Sequence, residues 1–86
     1  MVQLTNLPKI NEVTIQIVAI VIELQNNFEC RTELQMYKEF FSLKVCFYKN
    51  IKNLDVINNI CPKADEYYFY AQDNCVCLNL NFYMEN

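Results

Sequence analysis

Histidine, glycine and tryptophan are all missing from this chain, and proline occurs only twice. Histidine is the commonest general base and the commonest metal ligand near neutral pH. Its absence removes the usual routes to acid–base catalysis and to mixed Cys/His metal sites. Without glycine there is no phosphate-cradling loop, because such loops need backbone angles that only glycine adopts cheaply. Long hydrophobic runs are missing too. The longest, Ile17 to Ile22, falls well short of the roughly 20 residues that span a bilayer. One positive charge, Lys9, precedes it and no small-residue cleavage pattern follows, so neither an export signal nor a membrane anchor is expected.

What is present indicates a folded chain. Of 86 residues, 53% are hydrophobic and 20% charged, far from the composition of a disordered segment. A length of this order accommodates one domain, residues 1–86. Five cysteines, an odd number without a signal peptide, read as free thiols in a reducing, cytoplasmic interior. Seven basic and ten acidic residues leave a net charge of -3 and a pI near 4.7. That balance argues against direct binding of nucleic acid or of an anionic membrane surface. It suits a basic surface on another protein.

Residues Met1 to Asn11 contain Pro8 and show no sustained period, so an irregular lead-in is expected. Val13 to Leu24 is dominated by β-branched residues, which favours a strand. Val13, Ile17, Ile20 and Leu24 also form a helical stripe, and a helix is the competing reading. Gln25-Asn26-Asn27 reads as a turn. Strict alternation then predicts a strand with Phe28, Cys30, Thr32, Leu34 and Met36 on one face and Glu29, Arg31, Glu33 and Gln35 on the other. The phase flips near Lys38-Glu39, and Phe41, Leu43, Val45 and Phe47 alternate with Ser42, Lys44, Cys46 and Tyr48. A third strand fits, with a helix over 32–48 as the alternative. Ile51, Leu54, Ile57 and Cys61 are spaced for a short helix, capped by Asn50 or Asn53 and stopped by Pro62. The segments EYYFYA and CVCLNLNFY around Gln72-Asp73-Asn74 predict a C-terminal β-hairpin. The expected fold is α+β: a small antiparallel sheet in the order β-β-β-α-β-β with one short helix.

The last strand is the most informative segment. If Val76, Leu78, Leu80 and Phe82 face the core, Cys75, Cys77, Asn79, Asn81 and Tyr83 face the other way. Thiols and amides in line offer hydrogen-bonding groups to a protein partner. Alternatively, Cys75 and Cys77 lie under a covering element and act as small hydrophobes. The run Tyr67-Tyr68-Phe69-Tyr70 must place aromatics on both faces, and tyrosines beside Asp65, Glu66 and Asp73 resemble a binding hot spot.

Chemistry finds little support in the sequence. Structural zinc needs four ligands, yet Cys75 and Cys77 are the only close pair. No base accompanies any cysteine, and Asp73 would oppose a thiolate at Cys75. No catalytic residue, metal site or cofactor is therefore expected. The sequence favours a non-enzymatic, protein-binding module: a small acidic inhibitor or adaptor for a basic, nucleic-acid-handling cleft. The expected contact residues are Asp65, Glu66, Tyr68, Tyr70, Asp73, Cys75, Cys77, Asn79 and Asn81. A structural subunit or homodimer is the alternative, and a Cys-liganded zinc module a third.

Overall fold

In order along the chain come α1 (Leu7–Asn27), β1 (Cys30–Met36), β2 (Phe40–Phe47), α2 (Leu54–Ile60), β3 (Glu66–Gln72) and β4 (Cys75–Tyr83). They are seen in a computed structural model that describes residues 7–84. The class is α+β, as the sequence predicts, but the order is α-β-β-α-β-β. The strands form one antiparallel sheet in the spatial order β1-β2-β4-β3, so β2 and β4 are central and β1 and β3 are edges.

The expected first strand is instead the long helix α1. It also takes in residues 7–11, part of the expected lead-in; the remainder of that lead-in lies outside the described residues. Pro8 falls in the first helical turn, where its missing N–H and fixed φ are tolerated. The stripe Val13, Ile17, Ile20 and Leu24 is buried. Gln25-Asn26-Asn27, expected as a turn between strands, instead forms the last helical turn of α1, and the Asn27 side-chain amide donates to the Glu23 carbonyl at 2.8 Å. Propensity lost to packing here: the apolar face built by β2 and β4 needs a cover, and this stripe supplies it.

That cover makes the core. Val13, Ile17, Ile20 and Leu24 of α1 meet Phe41, Leu43, Val45 and Phe47 of β2, and Leu78, Leu80 and Phe82 of β4. Ile57 and Ile60 of α2 and the adjoining Cys61 complete the cluster. Asn53 sits at the N-cap of α2 without a side-chain capping bond, and Leu54 is exposed. Pro62 ends the α-helix through a short 3₁₀ turn, Cys61–Lys63. Both helices therefore cover one face of the sheet. No element covers the other among the described residues.

Two hairpins set the register. In β3–β4 a two-residue turn, Asp73-Asn74, has positive φ at both positions (53° and 63°), as a type I′ turn requires. The β1–β2 reversal around Lys38-Glu39 uses no positive φ. The Tyr37 N–H donates to the Phe40 carbonyl at 2.8 Å, and the two rings stack at 4.7 Å. The Met84 N–H donates to the Glu39 carbonyl at 2.9 Å, tying this turn to the end of β4.

Candidate functional site

Alternation along each strand and the observed register together arrange the uncovered face in cross-strand rows. One row reads Arg31, Cys46, Cys77, Tyr70 from edge to edge. The next reads Glu33, Lys44, Asn79, Tyr68, and the third Gln35, Ser42, Asn81, Glu66. Phe40 and Tyr83 pair beyond the third row, with Tyr37 stacked on Phe40. Directly opposed side chains are the contact unit of a sheet, so these rows define what the face can offer.

The second and third rows carry a continuous hydrogen-bond chain. The Ser42 hydroxyl donates to Asn79 Oδ1 at 3.2 Å, and Asn79 Nδ2 donates to Asn81 Oδ1 at 2.8 Å. Asn81 Nδ2 then donates to Glu66 Oε1 at 3.4 Å. The Tyr83 hydroxyl donates to the same carboxylate oxygen, and the Tyr83 backbone N–H donates to Asp65 Oδ2 at 2.6 Å. Asn79 is only 8% exposed, yet both ends of its amide are bonded, as burial of a polar group demands. Around this chain lies a shallow cavity of about 330 Å³, bounded by Glu33, Tyr37, Phe40, Lys44 and Tyr68 among others.

The first row is built from sulfur. The Cys77 thiol donates to the Cys46 sulfur at 3.2 Å, and Cys77 is 0% exposed although no helix among the described residues lies over it. Burial, and then the contact with Cys46, push the Cys77 thiol above the ordinary thiol value. Arg31 lies beside Cys46, and interaction with that sulfur is the largest influence raising the guanidinium's pKa. Burial also raises the Tyr70 phenol. All five cysteines are free. Among the described residues no three His, Cys, Asp or Glu groups converge to hold a metal ion, and no helix is long and apolar enough to cross a membrane.

Of the nine residues predicted from sequence, Glu66, Tyr68, Tyr70, Cys75, Cys77, Asn79 and Asn81 share this face. Asp65 and Asp73 stand at opposite ends of β3 and do not meet. Cys77 and Asn79 lie on the expected face but are sealed by neighbouring side chains, so accessible contact falls to Glu66, Tyr68, Tyr70, Cys75 and Asn81. Tyr67 and Phe69 point to the helix side and are still exposed, because the helices do not reach this edge strand. The contribution of β1 and β2, namely Arg31, Glu33, Lys44 and Cys46, was not among the residues expected at the site. Their alternation was visible, but only the pairing of β2 with β4 brings them beside Cys77 and Asn79.

The charge is unevenly placed. Residues 64–84 carry Asp65, Glu66 and Asp73 and no Lys or Arg. The ion pairs among the described residues, Arg31–Glu33 and Lys49–Glu29, involve none of these acids. No family model matches the chain, and neither curated proteins nor solved structures give a significant match to it.

Proposed function

We propose that this chain is a non-enzymatic protein-binding module that presents the uncovered face of its sheet to a partner with a basic surface. One observation carries the reading: among the described residues no element covers one side of the four-stranded sheet, and that side carries ordered amides and accessible tyrosines. Tyr68 is 54% exposed and borders the cavity at the centre of the face. Rigid aromatic rings with a polar tip give contact area at small entropic cost. The hydrogen-bond chain from Ser42 to Glu66 fixes the amides before any partner arrives, which reduces the ordering cost of association.

The acids of the β3–β4 hairpin, which form no ion pair among the described residues, supply the sign of the partner. Asp65 and Glu66 are held at one end by Tyr83 and Asn81, and Asp73 marks the other end. A basic cleft, such as one that handles nucleic acid, complements that distribution, and the chain would act there as a small inhibitor or adaptor in a reducing, cytoplasmic setting. Free thiols and the absence of histidine agree with a role in binding rather than turnover.

The test is capture from an extract of the producing cells, with wild type and two variants side by side. A partner of this face is retained by wild type and by Ile15→Ser/Ile22→Ser, is lost by Glu66→Gln/Tyr68→Ala, and elutes steeply between about 50 mM and 500 mM salt. Equal retention by all three proteins, or no salt dependence, contradicts the reading. A second reading has its own observation: Ile15, Val18 and Ile22 form an exposed apolar stripe on the outer side of α1. A homodimer or structural subunit could bury it. Sedimentation over a micromolar concentration series separates the two, because a dimer through this stripe dissociates in Ile15→Ser/Ile22→Ser and not in the sheet-face variant.

A further inference from the structure

We propose that Cys46 and Cys77 form a reversible two-thiol oxidation site, closed to a disulfide by a hydroperoxide. The site stands apart from the docking reading and does not depend on it.

The geometry comes from the sheet itself. Cys46 of β2 and Cys77 of β4 are direct register partners, and their sulfurs are 3.2 Å apart. Opposed residues in antiparallel strands have Cα atoms about 4.5–5.5 Å apart, inside the range of about 4.4–6.8 Å that a disulfide tolerates. Bond formation needs the sulfurs to close to about 2.05 Å, which side-chain rotation supplies without moving the strands apart. The remaining thiols are placed differently. Cys30 and Cys61 belong to the helix side of the sheet, where Cys30 donates to the Leu24 carbonyl at 3.8 Å and Cys61 joins the core. Cys75 is opposite Gln72, not a cysteine.

The two sulfurs of the pair have unequal environments, and that sets their order of action. Cys46 lines a surface depression of about 160 Å³ together with Arg31, Tyr48, Gln72, Asp73 and Cys75. Arg31 sits opposite Cys46 across the β1–β2 ladder and places a positive charge beside the sulfur that must carry negative charge in the first step. Cys46 keeps 8% of its surface exposed, whereas its register partner Cys77 has 0%. Cys46, as its thiolate, attacks one oxygen of the hydroperoxide; the O–O bond breaks, and the leaving oxygen takes up a proton. The product at Cys46 is a sulfenic acid. Cys77 sulfur then attacks Cys46 sulfur, the S–O bond breaks, and the hydroxyl leaves as water with the Cys77 proton. With hydrogen peroxide, two thiols lose two electrons and two protons, and the peroxide becomes two molecules of water. A dithiol reductant returns both thiols by exchange.

The experiment uses the folded, reduced full chain treated with hydrogen peroxide, then alkylated after denaturation. Intact mass is expected to show loss of two of the five alkylatable thiols, fully regained with dithiothreitol. After trypsin, the peptide 45–49 is expected to be linked to the C-terminal peptide beginning at Ala64. That peptide contains both Cys75 and Cys77, so Cys75→Ser must keep the link and Cys77→Ser must lose it. Should Cys77→Ser fail to fold, the Cys75→Ser protein still decides, because Cys77 is then the single thiol in its peptide. Five unreacted thiols, a link that requires Cys75, a disulfide between two chains, or Cys46 carried on to sulfinic acid without a bridge would each overturn the site.

Discussion

On the helix side of the sheet, Leu43, Val45, Leu78 and Leu80 are sealed under α1 and α2. One residue along the same strands, Lys44, Cys46, Cys77 and Asn79 face the side that no described element covers. Burial occurs on both sides, but for different reasons. Under the helices it is hydrocarbon against hydrocarbon, worth about 1.5–3 kcal/mol for each fully buried aliphatic side chain. On the uncovered side, Cys77 and Asn79 are shielded by their neighbours within the face and are held by specific partners. The first side supplies folding energy. The second holds its polar groups in one arrangement through hydrogen bonds between neighbouring strands.

The largest expected effect lies under the helices. Leu80→Ala should destabilise the chain by about 2–5 kcal/mol, while Tyr68→Ala on the opposite side should change stability by less than about 0.5 kcal/mol. Urea unfolding followed by circular dichroism checks both, and comparable losses would erase the distinction between the faces. Next in size is Asn79→Ala, which leaves the Ser42 hydroxyl and the Asn81 carboxamide without their shared partner. A loss of about 1–3 kcal/mol is expected, with a smaller loss for the more exposed Asn81→Ala, which removes the acceptor of the Asn79 amide N–H. Should Asn79→Ala be neutral, the hydrogen-bond chain contributes no stability.

Alkaline pH gives a smaller effect that both faces share. Burial raises the thiols of Cys30, Cys61 and Cys77 above the ordinary value of 9.0. The unfolded chain therefore loses these protons first as pH rises, and the native state binds more protons in that window. Stability should be flat below the unfolded thiol pKa and should fall between it and the raised native values. Cys77→Ala should reduce that slope without removing it, because Cys30 and Cys61 remain. An unfolding midpoint that rises from pH 8 to pH 10 would reverse the sign. The smallest change is a gain: Asn74→Gly relieves a positive φ of 63° at the position where type I′ turns favour glycine. An increase of no more than about 1 kcal/mol is expected, with no effect on capture of a partner.

The hairpin β3–β4 was legible in the sequence because three signals agree there: alternation along CVCLNLNFY, aromatic content in EYYFYA, and Asp-Asn at the reversal. The same alternation assigned Leu78 and Leu80 to the inside and Asn79 and Asn81 to the opposite face. Residues 13–24 were not legible as a helix by propensity, since the run satisfies both a helical stripe and a β-rich composition. What selects the helix is the apolar face of β2 and β4, a partner that no local window contains. The rows of the uncovered face were hidden for a related reason. Alternation tells which side a residue takes, but not which residue of another strand stands opposite. The Cys46–Cys77 contact and the place of Lys44 beside Asn79 are properties of register alone.

A soluble paramagnetic probe in an NMR experiment examines the two faces at once. The methyl groups of Leu78 and Leu80 should keep their intensity, while the ring protons of Tyr68 and the side-chain amide of Asn81 should broaden strongly. Broadened Leu78 and Leu80 methyls together with a protected Tyr68 ring would mean that the sheet is covered on the opposite side, leaving no bare polar face for a partner to meet.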